Sequence, residues 1–266
     1  MKIAGGAKAR ILQTCAAYRA AACRSSARIL EIGTYCGYSA LKMLLACPGA
    51  RILTIEVLAL HAAIARVIFA YAGVGHQVDV KVGHSTDAIH SVGQDARHAA
   101  HSFDLLFMDQ RGSRYSADMD ALMSYGLLKP GAIVIADNVL KPGAPMFLWR
   151  VIRADGSFHT CLVEVTEFAM PVKDWMSVSC YTPASSSTGP QNGDAEKRPA
   201  PPREVHQLEF DAERMRDRAS QPGAGGAAFD LWHEATESMS RQLATLGLSE
   251  TTIHVDDLAP WLSEKK

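Results

Sequence analysis

No apolar run in these 266 residues reaches the roughly 18 that a membrane-spanning helix needs. An excess of either charge is missing too: 27 Lys and Arg stand against 28 Asp and Glu, a formal net charge of −1. That balance gives no electrostatic reason to expect nucleic acid or an anionic membrane as partner. There is no Cys-x-x-Cys pair. The six cysteines (Cys15, Cys23, Cys36, Cys47, Cys161, Cys180) are scattered, against a zinc cluster or disulfide framework and for a reducing compartment. The opening Met1-Lys2-Ile3-Ala4-Gly5-Gly6 has too few apolar residues for a signal peptide, and no internal repeat is found. What these absences leave is a cytoplasmic globular protein. Its 48% hydrophobic and 21% charged content suits a sizeable core.

What is present is organised around Leu30 to Ala40. Arg28 to Ile32 reads as a short buried strand, Gly33 and Gly37 bracket a tight turn, and Ser39 opens an apolar-periodic helix. Strand, glycine turn and helix start bring backbone N–H groups close to a ligand. A pyrophosphate loop wants the fuller glycine spacing. Here Glu31 lies at the strand tip, which favours a positively charged ligand such as a sulfonium amino acid. A plain structural turn is the alternative.

Further along, apolar strands alternate with helices: strands at Arg51–Glu56, Gln77–Val82, Phe103–Met108, Ala132–Ala136, Phe158–Phe168 and Trp175–Tyr181, with helices between most of them. Near-continuous apolar strands separated by helices predict a doubly wound, mostly parallel α/β sheet of seven strands with helices on both faces. Ligands in such sheets sit at the carboxyl ends of the strands. The polar residues there are Glu31, Glu56, Ser85, Asp109, Asp137 and Asn138. Residues 1–182 are expected to form this domain. Residues 183–226, rich in Pro, Ser, Gly and charge, read as a disordered linker. Residues 227–266 read as an amphipathic helix, with Trp232, Met239 and Leu243 on one face, and an acidic tail.

Glu56 lies some 25 residues past Glu31, near the spacing of roughly 20 at which an acid grips a ribose diol; a solvated strand-end charge is the bland alternative. Ser85 suits an adenine edge or a helix cap equally. Asp109, Asp137 and Asn138 are all oxygen donors with no His or Cys beside them, which suits a hard ion such as Mg²⁺ rather than zinc. A turn cap before Pro142-Gly143 is the competing reading of the last two.

Leu30–Ala40, Ile55-Glu56, Met108-Asp109, Arg114-Tyr115 and Ala136 to Pro145 closely resemble the catechol O-methyltransferase family over roughly Ala4 to Tyr181. The resemblance implies a Rossmann-like methyltransferase fold using S-adenosylmethionine and Mg²⁺, with a small-molecule catechol as acceptor. It puts Ala4, Glu31, Gly33, Tyr35, Tyr38, Ser39, Glu56, Ser85 and Asp109 around the cofactor, and gives Asp109, Asp137 and Asn138 to the metal. It gives Glu167 to the second catechol hydroxyl, with Glu164 as the one-register alternative, and makes Pro142 a wall of the ring pocket. The match starts near Met1, so the family's N-terminal lid helices are expected to be absent.

Three positions depart from the family pattern. Its lysine, taken as general base, is matched by Gly112, its aromatic wall by Arg111, and its histidine by Gln110. Lys141, three residues past Asn138, is then the candidate base, because a lysine beside a divalent cation gives up its proton more easily; the alternative is that Lys141 points to solvent and Mg²⁺ alone ionises the catechol. Arg111 is expected to favour acceptors that carry a carboxylate. Two further readings stay open: an acceptor other than a plain catechol, and a cofactor-binding pseudoenzyme whose C-terminal helix recruits a protein partner.

Overall fold

The computed structural model describes residues 4–23, 26–95, 102–154, 156–167, 172–183, 199–219 and 228–265. The short apolar runs become strands β1 (Arg28–Ile32), β2 (Arg51–Glu56), β3 (Val78–Val82), β4 (Phe103–Met108), β5 (Leu128–Ala136), β6 (Phe158–Thr166) and β7 (Lys173–Tyr181). A two-residue strand, β8 (Thr252–Ile253), joins the same sheet. The order is β3-β2-β1-β4-β5-β7-β6-β8. β1 to β5 pair in parallel, and β7 runs antiparallel to both β5 and β6. Every residue of β4 is buried, as a parallel strand covered on both faces requires.

Helices α1 (Ala7–Ala22), α2 (Tyr38–Ala46) and α3 (Ala59–Tyr71) cover one face, where Ile11, Leu12, Met43 and Phe69 pack in one core. On the other face lie α4 (Ser85–Gln94), α5 (Tyr115–Ser124) and α6 (Pro145–Trp149), whose Ile89, Met119 and Phe147 build the second core. The chain leaves β1 toward β2 on one side and returns to β4 on the other. Their carboxyl ends therefore part at this switch point and open a crevice.

The sequence reading needs correction after residue 183. Seven strands were expected and eight are present, because the tail adds β8 beside β6. Inside the span read as linker, Arg203–Ala219 forms a 17-residue helix, α7, with Val205, Leu208 and Ala212 buried. Of that span, 184–198 and 220–226 lie outside the described residues. The C-terminal helix α8 (Ala228–Thr245) forms as expected, but Trp232, Met239 and Leu243 face the domain itself. The apolar face read as a docking surface for a protein partner is spent within the chain. The acidic tail also folds: α9 (Leu258–Ser263) buries Leu258 and Leu262 in the core that α1 lines. All six cysteines are unpaired, and no described helix is long and apolar enough to cross a membrane.

Candidate active site

The glycine turn after β1 is closed by contacts that admit no side chain. A Cβ on Gly33 would lie 2.7 Å from the Asp109 carbonyl oxygen, and its φ of +106° is left-handed. A Cβ on Gly37 would fall 2.4 Å from the Phe69 ring. The turn therefore packs against the end of β4, and Asp109 N–H donates to the Ile32 carbonyl at 2.8 Å. Glu31 sits at the floor of the turn with 0% exposure. Ser39 and Thr54 hydroxyls donate to its two oxygens, the latter at 2.6 Å. Burial outweighs both bonds and pushes the carboxyl up to about 7. Such a group gains from a cation beside it. Glu56, at the tip of β2, accepts from Tyr35 N–H at 2.7 Å and Leu58 N–H at 2.9 Å. The Tyr35 ring stands edge-on to His61, with centroids 4.8 Å apart. Tyr38 and Ser39 open α2, Ser85 opens α4, and Ala4 is buried just before α1.

Asp109 and Asp137 stand side by side, because Met108 pairs with Ala136 in the β4–β5 register. The Tyr115 hydroxyl, fully enclosed, ties the two strand ends together by sharing its one proton between the Met108 and Asp137 carbonyls, at 3.0 and 2.9 Å. Asn138 follows in left-handed conformation (φ 55°), which asparagine tolerates. Its amide donates to Glu167 at 2.9 Å and to Asp174 at 2.8 Å. Glu167 thus faces the cluster, whereas Glu164 pairs with Lys173 at 2.8 Å away from it. Between these acids lies the ammonium of Lys8. Its Nζ is 2.6 Å from Glu167, 2.7 Å from Asp137 and 2.9 Å from Asp174.

One ammonium does not neutralise this set. Burial, then Asp137, drives Asp109 well above the usual carboxylate range. Burial also pushes Asp174 up to about 7 against the pull of Lys8. For Glu167 burial is outweighed by Lys8, which holds its carboxyl below the ordinary value. Lys8 in turn is raised well above an ordinary lysine, its desolvation overcome by Asp137, Asp174 and Glu167. The donors are hard oxygens with an unmet need for positive charge, and Lys8 is a cation already standing among them. That chemistry fits a divalent hard ion. Among the described residues no three His, Cys, Asp or Glu side chains converge as a metal site. The expected set holds only two acids, and its third member is the Asn138 amide.

On the outer side of the cluster, Lys141 Nζ lies 4.0 Å from Glu167 and 5.5 Å from the centre of the Trp232 ring of α8. Arg111 does not face an acceptor with its charge. Glu213 and Asp217 of α7 bind its guanidinium, Asp217 at 3.0 Å, so the charge expected to attract an acceptor's carboxylate is engaged within the chain. Lys8, Asp174, Tyr115 and Trp232 were not anticipated at this site. For Lys8 a signal existed: it shares one helical face with Ile11, Leu12 and Cys15, and a lysine in an apolar stripe asks for a buried partner.

A family model described as O-methyltransferase matches residues 22–169. Bovine catechol O-methyltransferase is 41% identical over 132 residues, 49% of this chain and 47% of its own. The mouse transmembrane O-methyltransferase homolog is 39% identical over 181 residues, 67% of each chain. The chain spans 47% and 67% of the length of these two relatives. Among solved structures, the O-methyltransferase TomG of Streptomyces achromogenes, in complex with S-adenosylmethionine, superposes with a TM-score of 0.58 at 25% identity, covering 68% of this chain and 82% of that one. With more than half its length matched by that model, the chain belongs to the O-methyltransferase family.

Proposed function

We propose that the chain transfers the sulfonium methyl group of S-adenosylmethionine to one hydroxyl oxygen of a catechol, with Mg²⁺ held beside the acceptor. The observation that carries this reading is that Asp109 and Asp137, at the adjoining ends of β4 and β5, lie directly against the glycine turn. In this reading Glu31 faces the positive end of the cofactor's amino acid, and Glu56, with Tyr35, holds its ribose. Ala4, Gly33, Tyr38, Ser39 and Ser85 complete the pocket.

Asp109, Asp137 and Asn138 would hold the metal. When bound, Mg²⁺ lowers the pKa of a phenol, ordinarily about 10. The chain's own residues supply position. Glu167 orients the second hydroxyl, and Pro142 walls the ring. Lys141, directed by Glu167 and the Trp232 ring, accepts the proton of the reacting hydroxyl. A hydroxylated aromatic other than a plain catechol is the second reading, favoured by the closure of α7 and α8 over this side of the site.

Methyl transfer to a catechol panel, assayed with Mg²⁺ and with EDTA, tests both parts. Catechol methylation that disappears in EDTA is the expected result. A rate untouched by EDTA removes the metal, and transfer only to non-catechols removes the acceptor class.

Cofactor affinity should also respond to pH through Glu31. Its folded carboxyl titrates near 7, above the ordinary 4.5. The native state therefore holds a proton that the unfolded chain has lost, and this group lowers stability as pH rises from about 4.5 to about 7. A cation bound beside Glu31 favours its charged form, so binding expels that proton. The dissociation constant for S-adenosylmethionine should tighten from pH 6 to pH 8, and Glu31→Gln should flatten the dependence. Equal slopes in wild type and Glu31→Gln would return Glu31 to a structural role.

A further inference from the structure

Gly112 stands two residues before Arg114 on the short turn that leads into α5, and its φ lies outside the left-handed region. Nothing in its backbone demands glycine. The space beside it is already occupied. A Cβ there would meet Arg216 Nη2 at 2.9 Å, the Gly143 carbonyl oxygen at 3.1 Å and Ala144 Cβ at 3.3 Å. The guanidinium fills the volume a side chain at 112 would need.

Arg216 comes from α7, the helix inside the span that reads as linker. Its Nη2 donates to the Gly143 carbonyl at 3.0 Å, and its Nη1 pairs with Glu213 one turn back. Glu213 also receives the Arg111 guanidinium, at 2.9 Å from Nε, so 111, 213 and 216 form one interlocked set. The side chain of Arg216 is only 16% exposed. Gly143 closes the turn Val139–Gly143, which follows Asn138 and carries Lys141 and Pro142. Its own N–H donates back to the Asn138 carbonyl at 3.2 Å. A charge-assisted bond to the Gly143 carbonyl therefore fixes the far end of the segment whose near end lies in the acid cluster.

We propose that Arg216 is a positioning residue for the acceptor side of the site, delivered by α7 into the space left open at Gly112 and clamping the 138–143 turn through the Gly143 carbonyl. A guanidinium keeps its proton in proteins, so Arg216 is no base. It acts through Asn138 and Lys141. The acceptor-side role rests on the methyltransferase reading above, but the clamp does not.

The test uses the full chain in wild type, Arg216→Ala, Arg216→Lys, Gly112→Ala and the Gly112→Ala/Arg216→Ala double variant. Amide hydrogen exchange comes first, because it needs no activity. Exchange over residues 139–144 should speed up about tenfold in Arg216→Ala, as expected from losing one charge-assisted bond, with β1 and β4 unchanged. Gly112→Ala should reproduce this, since its methyl displaces the guanidinium. The double variant should exceed neither single one, because both remove the same contact. Arg216→Lys should recover part of the protection. Unchanged exchange at 139–144, or additive effects in the double variant, overturns the clamp.

Acceptor kinetics follow. In Arg216→Ala the KM for catechol should rise about tenfold while the S-adenosylmethionine dissociation constant moves less than about twofold. Equal losses in both would make Arg216 a general structural residue and overturn its acceptor role. If wild type methylates no catechol, the proposed function fails, and hydrogen exchange still decides the clamp.

Discussion

Removing residues 184–266 will unfold the protein or lower its Tm by well over 15 °C, although much of the removed stretch reads as linker. The reason is where its side chains end up. Val205, Leu208, Met239, Leu243 and Leu248 are buried in the same core as Leu140, Phe147 and Leu148. Leu258 and Leu262 complete the opposite core against Ile11 and Leu12 of α1. Each such side chain is worth about 1.5–3 kcal/mol when buried. Ordering α7, α8 and α9 offsets part of that sum. The remainder is still a large fraction of the roughly 5–15 kcal/mol by which domains are stable at all. Truncation also strips the ion pairs from Arg111 and uncovers Gly143 and Lys141. Thermal melts of the full chain and of 1–183 decide the matter. A truncated chain that melts cooperatively within about 5 °C of the full one would show that these helices rest on the surface.

How much of this was legible in the sequence depends on how local the cause is. The glycine turn, the strand tips and the two-faced sheet were readable, because each is set by spacing within one strand and its neighbours. Glu31, Glu56, Asp109 and Asp137 fall at strand ends that apolar runs define without outside help. α7 was not readable as a packed element. Its apolar stripe is narrow, only Val205, Leu208 and Ala212, because it packs on a turn and a short helix and not across a sheet. It is also embedded in Pro- and Gly-rich flanks that dominate the composition of the span.

The charge of Arg111 misled for a related reason: its partners Glu213 and Asp217 lie about a hundred residues away in sequence. Nothing local announces them. Tyr115 appeared inside a motif, yet its hydroxyl bridge between two strand ends is a tertiary fact that no pattern encodes. Gly112 looked like a loss of a side chain, and only the structure shows Arg216 in its place.

Replacing Lys8 by methionine is the second change with a large expected effect, and its direction depends on the metal. Methionine keeps the length and apolar stem of lysine but removes the charge. Three acids within 2.9 Å of Nζ then lose their common partner. Breaking a buried ion pair by removing one side costs about 3–5 kcal/mol, because the remaining charge is stranded. Raising the pH cannot stand in for the substitution. Lys8 is raised well above its unfolded value, so its stabilisation is complete below about 10.5 and fades only as pH climbs through the higher folded value. In metal-free buffer Lys8→Met should therefore melt far below wild type across the neutral range. Added Mg²⁺ should reverse the order of sensitivity. An ammonium 2.7 Å from Asp137 repels a divalent ion at that carboxylate, and without it the ion meets a more negative site. Lys8→Met should thus bind Mg²⁺ more tightly than wild type, by calorimetry, and gain more Tm from it. A variant as stable as wild type would mean that the buried acids take up protons once Lys8 is gone, so that no charge is stranded. A variant that is destabilised yet indifferent to Mg²⁺ would show that Lys8 is the only cation this cluster takes, and the metal would leave the mechanism.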